Sequence, residues 1–196
     1  MLKECLESLL HQTQEVDKII IVDNGSTDGT REYLKEIKSE IIIPIFSESN
    51  LGGAGGFNLA IKSAMTYSPD YIWVMDDDTI PNKDSLGKFY DSIAILKGEF
   101  GFLSSNVLWV DGTPCLMNIP KVSKNWNSKA SIGLINLESA SFVSMLISSN
   151  IIKEIGYPIS DFFIWGDDVE YSTRISKVKE SYFVGDSIVI HKMNEN

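Results

Sequence analysis

Cysteine, histidine and basic residues are all scarce in this 196-residue sequence. Only Cys5 and Cys115 carry thiols, too few and too far apart for a disulfide framework or a cysteine-rich zinc site, which fits a reducing compartment. Lysine and arginine together number 17 against 27 acids, a net charge of −10, and they form no cluster. That balance excludes a domain that wraps a nucleic acid backbone and argues against unaided attachment to anionic membrane. No apolar run reaches the roughly 18 residues of a membrane span, and MLKECLESLL lacks the three sections of a signal peptide. Repeats, low-complexity tracts and linkers are missing too. What is present, 43% hydrophobic and 10% aromatic residues, predicts one globular domain over 1–196, expected in the cytoplasm, where the inner face of the membrane is also open to it.

Apolar residues at helical spacing, Leu2, Cys5, Leu6, Leu9 and Leu10, predict a helix from the start to about 11–13. KIIIV at 18–22 is a short β-branched run of the kind buried on both faces of a parallel sheet. It ends at the turn signal DNGS, after which Ser26 or Thr27 can cap a helix to about 38. A strand is predicted at 41–46, a helix at 54–67 behind a glycine-rich loop, and a strand at 71–75. Strand and helix thus alternate, which implies an α/β fold with a mainly parallel sheet. Further on, the pattern predicts a helix at 85–96, a strand at 102–110, a loop or lid at 111–130, a strand at 142–147, a helical turn at 150–155, a helix at 166–179 and a closing strand at 182–191.

Three features carry chemistry. Asp76, Asp77 and Asp78 end the strand YIWVM, and ligands of open sheets sit beyond the carboxyl ends of the strands. A side-chain period of two turns Asp76 and Asp78 to one side, where they can converge on a hard divalent cation that offsets their repulsion. The loop NLGGAGGFN at 50–58 lets backbone approach a ligand, but Asn58 breaks G-x-G-x-x-G and no G-K-[ST] follows, so neither a dinucleotide fold nor a P-loop is supported. Asp167 and Glu170 have the spacing of a capping box, whereas Asp168 beside them has no such structural explanation and can serve as a proton acceptor. Of the two histidines, His11 suits a helix C-terminus, and His191 is a candidate third metal ligand if the acidic cluster lies near it. Asp23 can either accept a hydrogen bond from a base or sugar or close a turn with Gly25 and Ser26. Trp165 is a candidate wall of an acceptor cleft.

Taken together, CLESLLHQT, IIIVDNGSTDGT, NLGGAGGFN, WVMDDDTIP, WGDDVEYSTR and His191 resemble the inverting glycosyltransferases of family 2, which have the GT-A fold; the glycine loop and acidic motifs are most similar to the galactofuranosyl- and rhamnosyltransferase-like members. The resemblance implies a GT-A fold, a Rossmann-like mixed sheet flanked by helices. It also implies transfer of a sugar from a nucleotide diphosphate donor to a saccharide or lipid-linked acceptor in polysaccharide and cell-envelope synthesis. A UDP-sugar is favoured, with UDP-galactofuranose and dTDP-rhamnose as candidates. By matching position, Asp23 contacts the uracil, and Asn50, Gly52 and Gly53 border the nucleotide or diphosphate. Asp76 touches the ribose or metal, Asp78 and His191 complete a Mn²⁺ or Mg²⁺ site, Asp168 is the base, and Trp165 with Asp167 lies on the acceptor side. Members of the family have a further strand ahead of the CLESLL helix and a region past His191 that helps bind acceptor or membrane, so the domain reads as truncated at its N-terminus and open to truncation at its C-terminus. No nucleic acid partner is implied; a homo-oligomer and peripheral membrane association through other regions are left open. Two alternatives stand beside this reading. VMDDDTI is close to the nucleophile motif of haloacid dehalogenase-type phosphohydrolases, with Asp76 as nucleophile but Ile80 where Thr or Val is wanted, and a non-catalytic nucleotide-sugar binding domain would also fit a sheet that lacks a strand.

Overall fold

A computed structural model describes residues 1–192. Helix α1 (Leu2–Leu10) leads to strand β1 (Ile19–Asp23), then α2 (Thr30–Glu36), β2 (Ile42–Phe46), α3 (Gly52–Met65), β3 (Tyr71–Val74) and β4 (Thr79–Pro81). Helix α4 (Ser85–Leu96), β5 (Phe102–Leu108), β6 (Lys121–Val122), β7 (Leu134–Ser139), β8 (Met145–Ser148), α5 (Ser149–Ile155), α6 (Asp167–Val178) and β9 (Ser181–His191) follow. The strand alternation expected for the first half is present. Helix α2 starts later than Ser26 or Thr27, at Thr30, because Gly29 at φ +91° makes the entry turn. The segment 111–130 is no plain loop: it holds two helical turns and the short β6. Phe142–Ser144 is a helical turn, and the strand there begins only at Met145.

The sheet comes in two pieces. β1 and β2 pair in parallel, Ile21 opposite Pro44, and β2 tolerates that proline because it is an edge strand. The other seven strands form a mixed sheet of order β3-β8-β5-β9-β7-β6, with β4 added against β9. Within it only β5–β9 is parallel, and the other pairings are antiparallel, so the mainly parallel sheet expected from the first half gives way to a mixed one. Among the described residues no strand joins β1 to β3. A cavity of 470 Å³ lies between them, bordered by Val16, Lys18 and Ile20 on one side and Tyr71, Trp73 and Met75 on the other.

Side-chain alternation divides the core between the two faces. Ile72, Val74, Phe102, Met145 and Ile147 pack with Ile61 of α3 and with Tyr171 and Ile175 of α6. Their neighbours Leu103 and Leu146 pack on the opposite face with Leu86 and Phe89 of α4. Cys5, Leu6 and Leu9 of α1 cover Ile19 and Ile42 of the small sheet. Each face buries whole side chains, so both sheets present their carboxyl ends rigidly.

Candidate functional site

Two acids follow strands of the two sheets, Asp23 closing β1 and Asp76 two residues past β3, and they meet opposite fates. Asp23, 2% exposed, closes β1 with Oδ1 accepting from the Ser26 amide at 3.2 Å and Oδ2 from Arg31 Nε. Arg31 also donates to the Ser47 carbonyl, which ties the end of β1 to the chain after β2. Burial pushes the Asp23 pKa up, but the Ser26 and Arg31 bonds outweigh it and hold the group below its ordinary value. The turn reading of Asp23 is thus realised, with an arginine that the sequence had not singled out.

Beside it, Asn24 and Asn50 lash the turn to the glycine loop. Asn24 Oδ1 accepts from the Leu51 amide at 2.8 Å and its Nδ2 donates to the Gly52 carbonyl at 2.9 Å, while Asn50 Oδ1 accepts from the Gly52 amide at 2.8 Å. The close approach at Gly52 is to the protein's own chain. Its φ is +71°, and a Cβ there would fall 2.0 Å from the Phe163 carbonyl oxygen, whose next hydrogen bond comes from the Ala54 amide. Gly53 faces open space.

The acidic motif is the other fate. β4 follows it directly and pairs antiparallel with the end of β9, Thr79 opposite His191, and the Lys192 amide donates to the Asp78 carbonyl at 2.8 Å. That register carries Asp78 to His191 across 113 positions of sequence, so His191 Nε2 stands 3.2 Å from Asp78 Oδ1. Asp76, Asp78 and His191 each offer one ligand atom, and the three lie within 4.8 Å of one another. Asp77 is exposed and outside the group, as the period of two requires.

Electrostatically the cluster is unfinished. Burial, then the Asp78 carboxylate, pushes Asp76 up to about 6 despite His191, and the Asp168 charge adds to the rise. Asp78 Oδ1 is buried and has no hydrogen-bond partner among the described residues, although His191 Nε2 stands 3.2 Å away. Burial lowers the His191 pKa, and Asp78 and Asp76 more than offset it, leaving it raised. Two carboxylates and an imidazole match the donor set of a hard or borderline divalent cation. Adjacent ligand atoms of a six-coordinate ion sit roughly 3 Å apart, close to the Asp78–His191 spacing. The residues fit a metal ion.

Asp168, in the first turn of α6, is near enough for its charge to reach Asp76. Gly166, at φ +87°, caps that helix, so the Asp167–Glu170 capping box is absent: Asp167 is the first helical residue and Glu170 pairs with Arg174 at 2.8 Å. The glycine takes the cap because its left-handed backbone turns the chain where an Asp cap would need an extended one. Asp167 is 6% exposed and its pKa is raised by burial. Asp168 Oδ1 accepts the Val169 amide at 2.7 Å, and burial raises its pKa as well. Trp165 is 86% exposed, at φ +65°. The sequence reading overlooked Arg31, Asn24, Trp109 and Asn118, all of which brace the site; the DN dipeptide of the first turn was the one available signal.

Residues 1–96 match the model described as glycosyl transferase family 2. The match covers just under half of the chain and includes the Asp76–Asp78 motif. Over 187 aligned residues the chain is 26% identical to galactofuranosyltransferase GlfT1 of Mycolicibacterium smegmatis, covering 89% of this chain and 61% of that protein. The domain is also 34% identical over 85 residues to the poly-beta-1,6-N-acetyl-D-glucosamine synthase of Staphylococcus aureus, 43% of this chain and 20% of that one. In structure, GalNAc-T7 crystallised with UDP, GalNAc and Mn²⁺ superposes with a TM-score of 0.75 over 97% of this chain and 40% of that chain at 13% identity. The fold is therefore GT-A. The chain spans about three fifths of the galactofuranosyltransferase it matches.

Proposed function

We propose that this chain is the donor-binding and catalytic part of a metal-dependent inverting glycosyltransferase. Its donor is a nucleotide diphosphate sugar, a UDP-sugar first, and UDP-galactofuranose is favoured by the galactofuranosyltransferase relative. The acceptor is a saccharide or lipid-linked saccharide of cell-envelope polysaccharide, in line with the polysaccharide synthase, and the work is done on the cytoplasmic side. No helix among the described residues is long and apolar enough to cross a membrane.

The observation that carries this reading is the buried Asp78 Oδ1, without a hydrogen bond, beside an Asp76 pushed up to about 6. Asp76, Asp78 and His191 hold Mn²⁺ or Mg²⁺, which when bound neutralises charge on the departing diphosphate. Asp23 and Asn50, with Gly52 and Gly53, shape the nucleotide end. Asp168 accepts the proton of the acceptor hydroxyl while that oxygen bonds to the anomeric carbon. The bond to the diphosphate oxygen breaks in the same step, and the nucleoside diphosphate leaves with the electron pair. One in-line displacement inverts the centre. Partial burial raises the basicity of Asp168, and its bonded Val169 amide fixes where the carboxylate points. Trp165 and Asp167 flank the acceptor side.

A panel of nucleotide sugars, scored by melting temperature with Mn²⁺ and then by mass spectrometry with saccharide acceptors, tests this. The expected result is stabilisation by UDP-sugars and a product heavier by one glycosyl unit. Stabilisation by none of them contradicts the donor class, and binding without transfer points to the non-catalytic domain.

A further inference from the structure

The segment 111–130 has a role at the site that its sequence does not announce. After β5 the chain turns at Gly112, φ +81°, and returns, with Trp109 bonded to Thr113 and the Cys115 amide donating to the Val107 carbonyl at 3.0 Å. This return puts two side chains against His191. The Trp109 ring lies parallel to the imidazole, 2° between planes and 5.9 Å between centroids, and restrains its rotation. Asn118 Oδ1 stands 3.0 Å from His191 Nδ1. The amide is itself fixed, because its Nδ2 donates to Ser141 Oγ at 3.0 Å and the Cys115 thiol donates to Oδ1.

We propose that Asn118 is the positioning residue of His191: its side-chain carbonyl takes the Nδ1 proton and so leaves the Nε2 lone pair facing Asp78 and Asp76. This rests on the metal-dependent reading above. A flipped amide would demand the opposite tautomer, with an Nε2 proton aimed at Asp78. The Cys115 thiol, which donates to Oδ1, and Ser141 Oγ, which accepts from Nδ2, favour the orientation given. Histidine metal ligands need the remote nitrogen held in this way, since the remote bond sets both tautomer and ring angle.

The test uses the whole chain and Mn²⁺ alone. Free Mn²⁺ is counted by electron paramagnetic resonance for the wild type, Asn118→Leu and Asn118→Asp. The His191 tautomer of the metal-free proteins is read in alkaline buffer from long-range nitrogen–proton NMR, in which only His11 also appears. Asn118→Leu is expected to shift the proton to Nε2 and to weaken Mn²⁺ binding roughly 10- to 100-fold. Asn118→Asp, which keeps an acceptor, is expected to restore the Nδ1 tautomer and most of the affinity. An Asn118→Leu protein with the wild-type tautomer and affinity overturns the proposal. Should that variant not fold, Asn118→Ala, which removes the acceptor without adding bulk, is expected to give the same tautomer shift, and an unchanged tautomer overturns the proposal equally. A wild type that shows the Nδ1 tautomer but no Mn²⁺ affinity overturns the metal reading and leaves the positioning intact.

Discussion

Asp23 ends β1 and Asp76 lies two residues past β3, the strand across the cavity, yet Asp23 is settled and Asp76 is not. Every oxygen of Asp23 has a donor, and its pKa is held below the ordinary value. Asp76 shares its pocket with a second carboxylate, is pushed up to about 6, and neighbours an Asp78 oxygen with no hydrogen bond. An acid at a strand end is therefore no site by itself. The unsatisfied pair marks where a ligand is needed, and the satisfied one marks how that edge is held rigid.

The comparison can be broken in four ways. Asp168→Asn, which leaves both corners intact, should keep donor binding and lower transfer about 10²- to 10⁴-fold; rates with a radiolabelled donor check this, and an unchanged rate removes Asp168 as the base. Next, Asp78→Ala should abolish metal-dependent nucleotide binding, whereas Asp77→Ala, whose carboxylate is exposed and outside the cluster, should leave it nearly intact. Equal losses in calorimetry would dissolve the cluster as a unit.

Stability should move in opposite directions at the two corners. Asp23→Asn removes charge-assisted bonds from Arg31 and should cost about 1.5–3 kcal/mol by urea denaturation. Asp76→Asn removes a buried, repelled carboxylate and should stabilise the metal-free protein at neutral pH by on the order of 2 kcal/mol, an advantage lost in saturating Mn²⁺. The pH dependence follows the same signs. Asp76 is raised from 3.8 to about 6, so its contribution to metal-free stability is fullest below pH 3.8 and drains as pH climbs through about 6. Asp23 is lowered, so its contribution is present above pH 3.8 and is lost as pH falls through its folded value. Melting curves of the two variants across pH check both.

The smallest expected effect concerns the slot. Two apolar strand edges face each other across 470 Å³, and a strand between β1 and β3 would satisfy both. A β-branched segment joined ahead of α1 should raise the melting temperature and tighten donor binding. No change in either would mean that the slot is filled in another way.

How much of this was written in the sequence depends on the range of each interaction. Short β-branched runs and helical spacing located β1, β3 and α4 within a residue or two, because burial of such runs is a local property. β7 and β4 were missed: LINLES carries a polar Asn136 and an acidic Glu138, and β4 is three residues long, so only their partners define them. The same holds in the site. Three consecutive aspartates are visible to any reader, but the Thr79–His191 register that completes the cluster is a tertiary fact, as are the Arg31 bond to Asp23 and the Asn118 bond to His191. Capping chemistry misled at α6, since a glycine in a left-handed conformation took the place that Asp167 suits.

The central claim is that the Asp76, Asp78 and His191 corner is completed by a divalent cation that carries the nucleotide diphosphate. Calorimetric titration of UDP into the protein, once with Mn²⁺ and once with EDTA, tests it most directly. The account predicts clear binding with Mn²⁺ and a loss of most affinity in EDTA, and equal affinity in the two would contradict it.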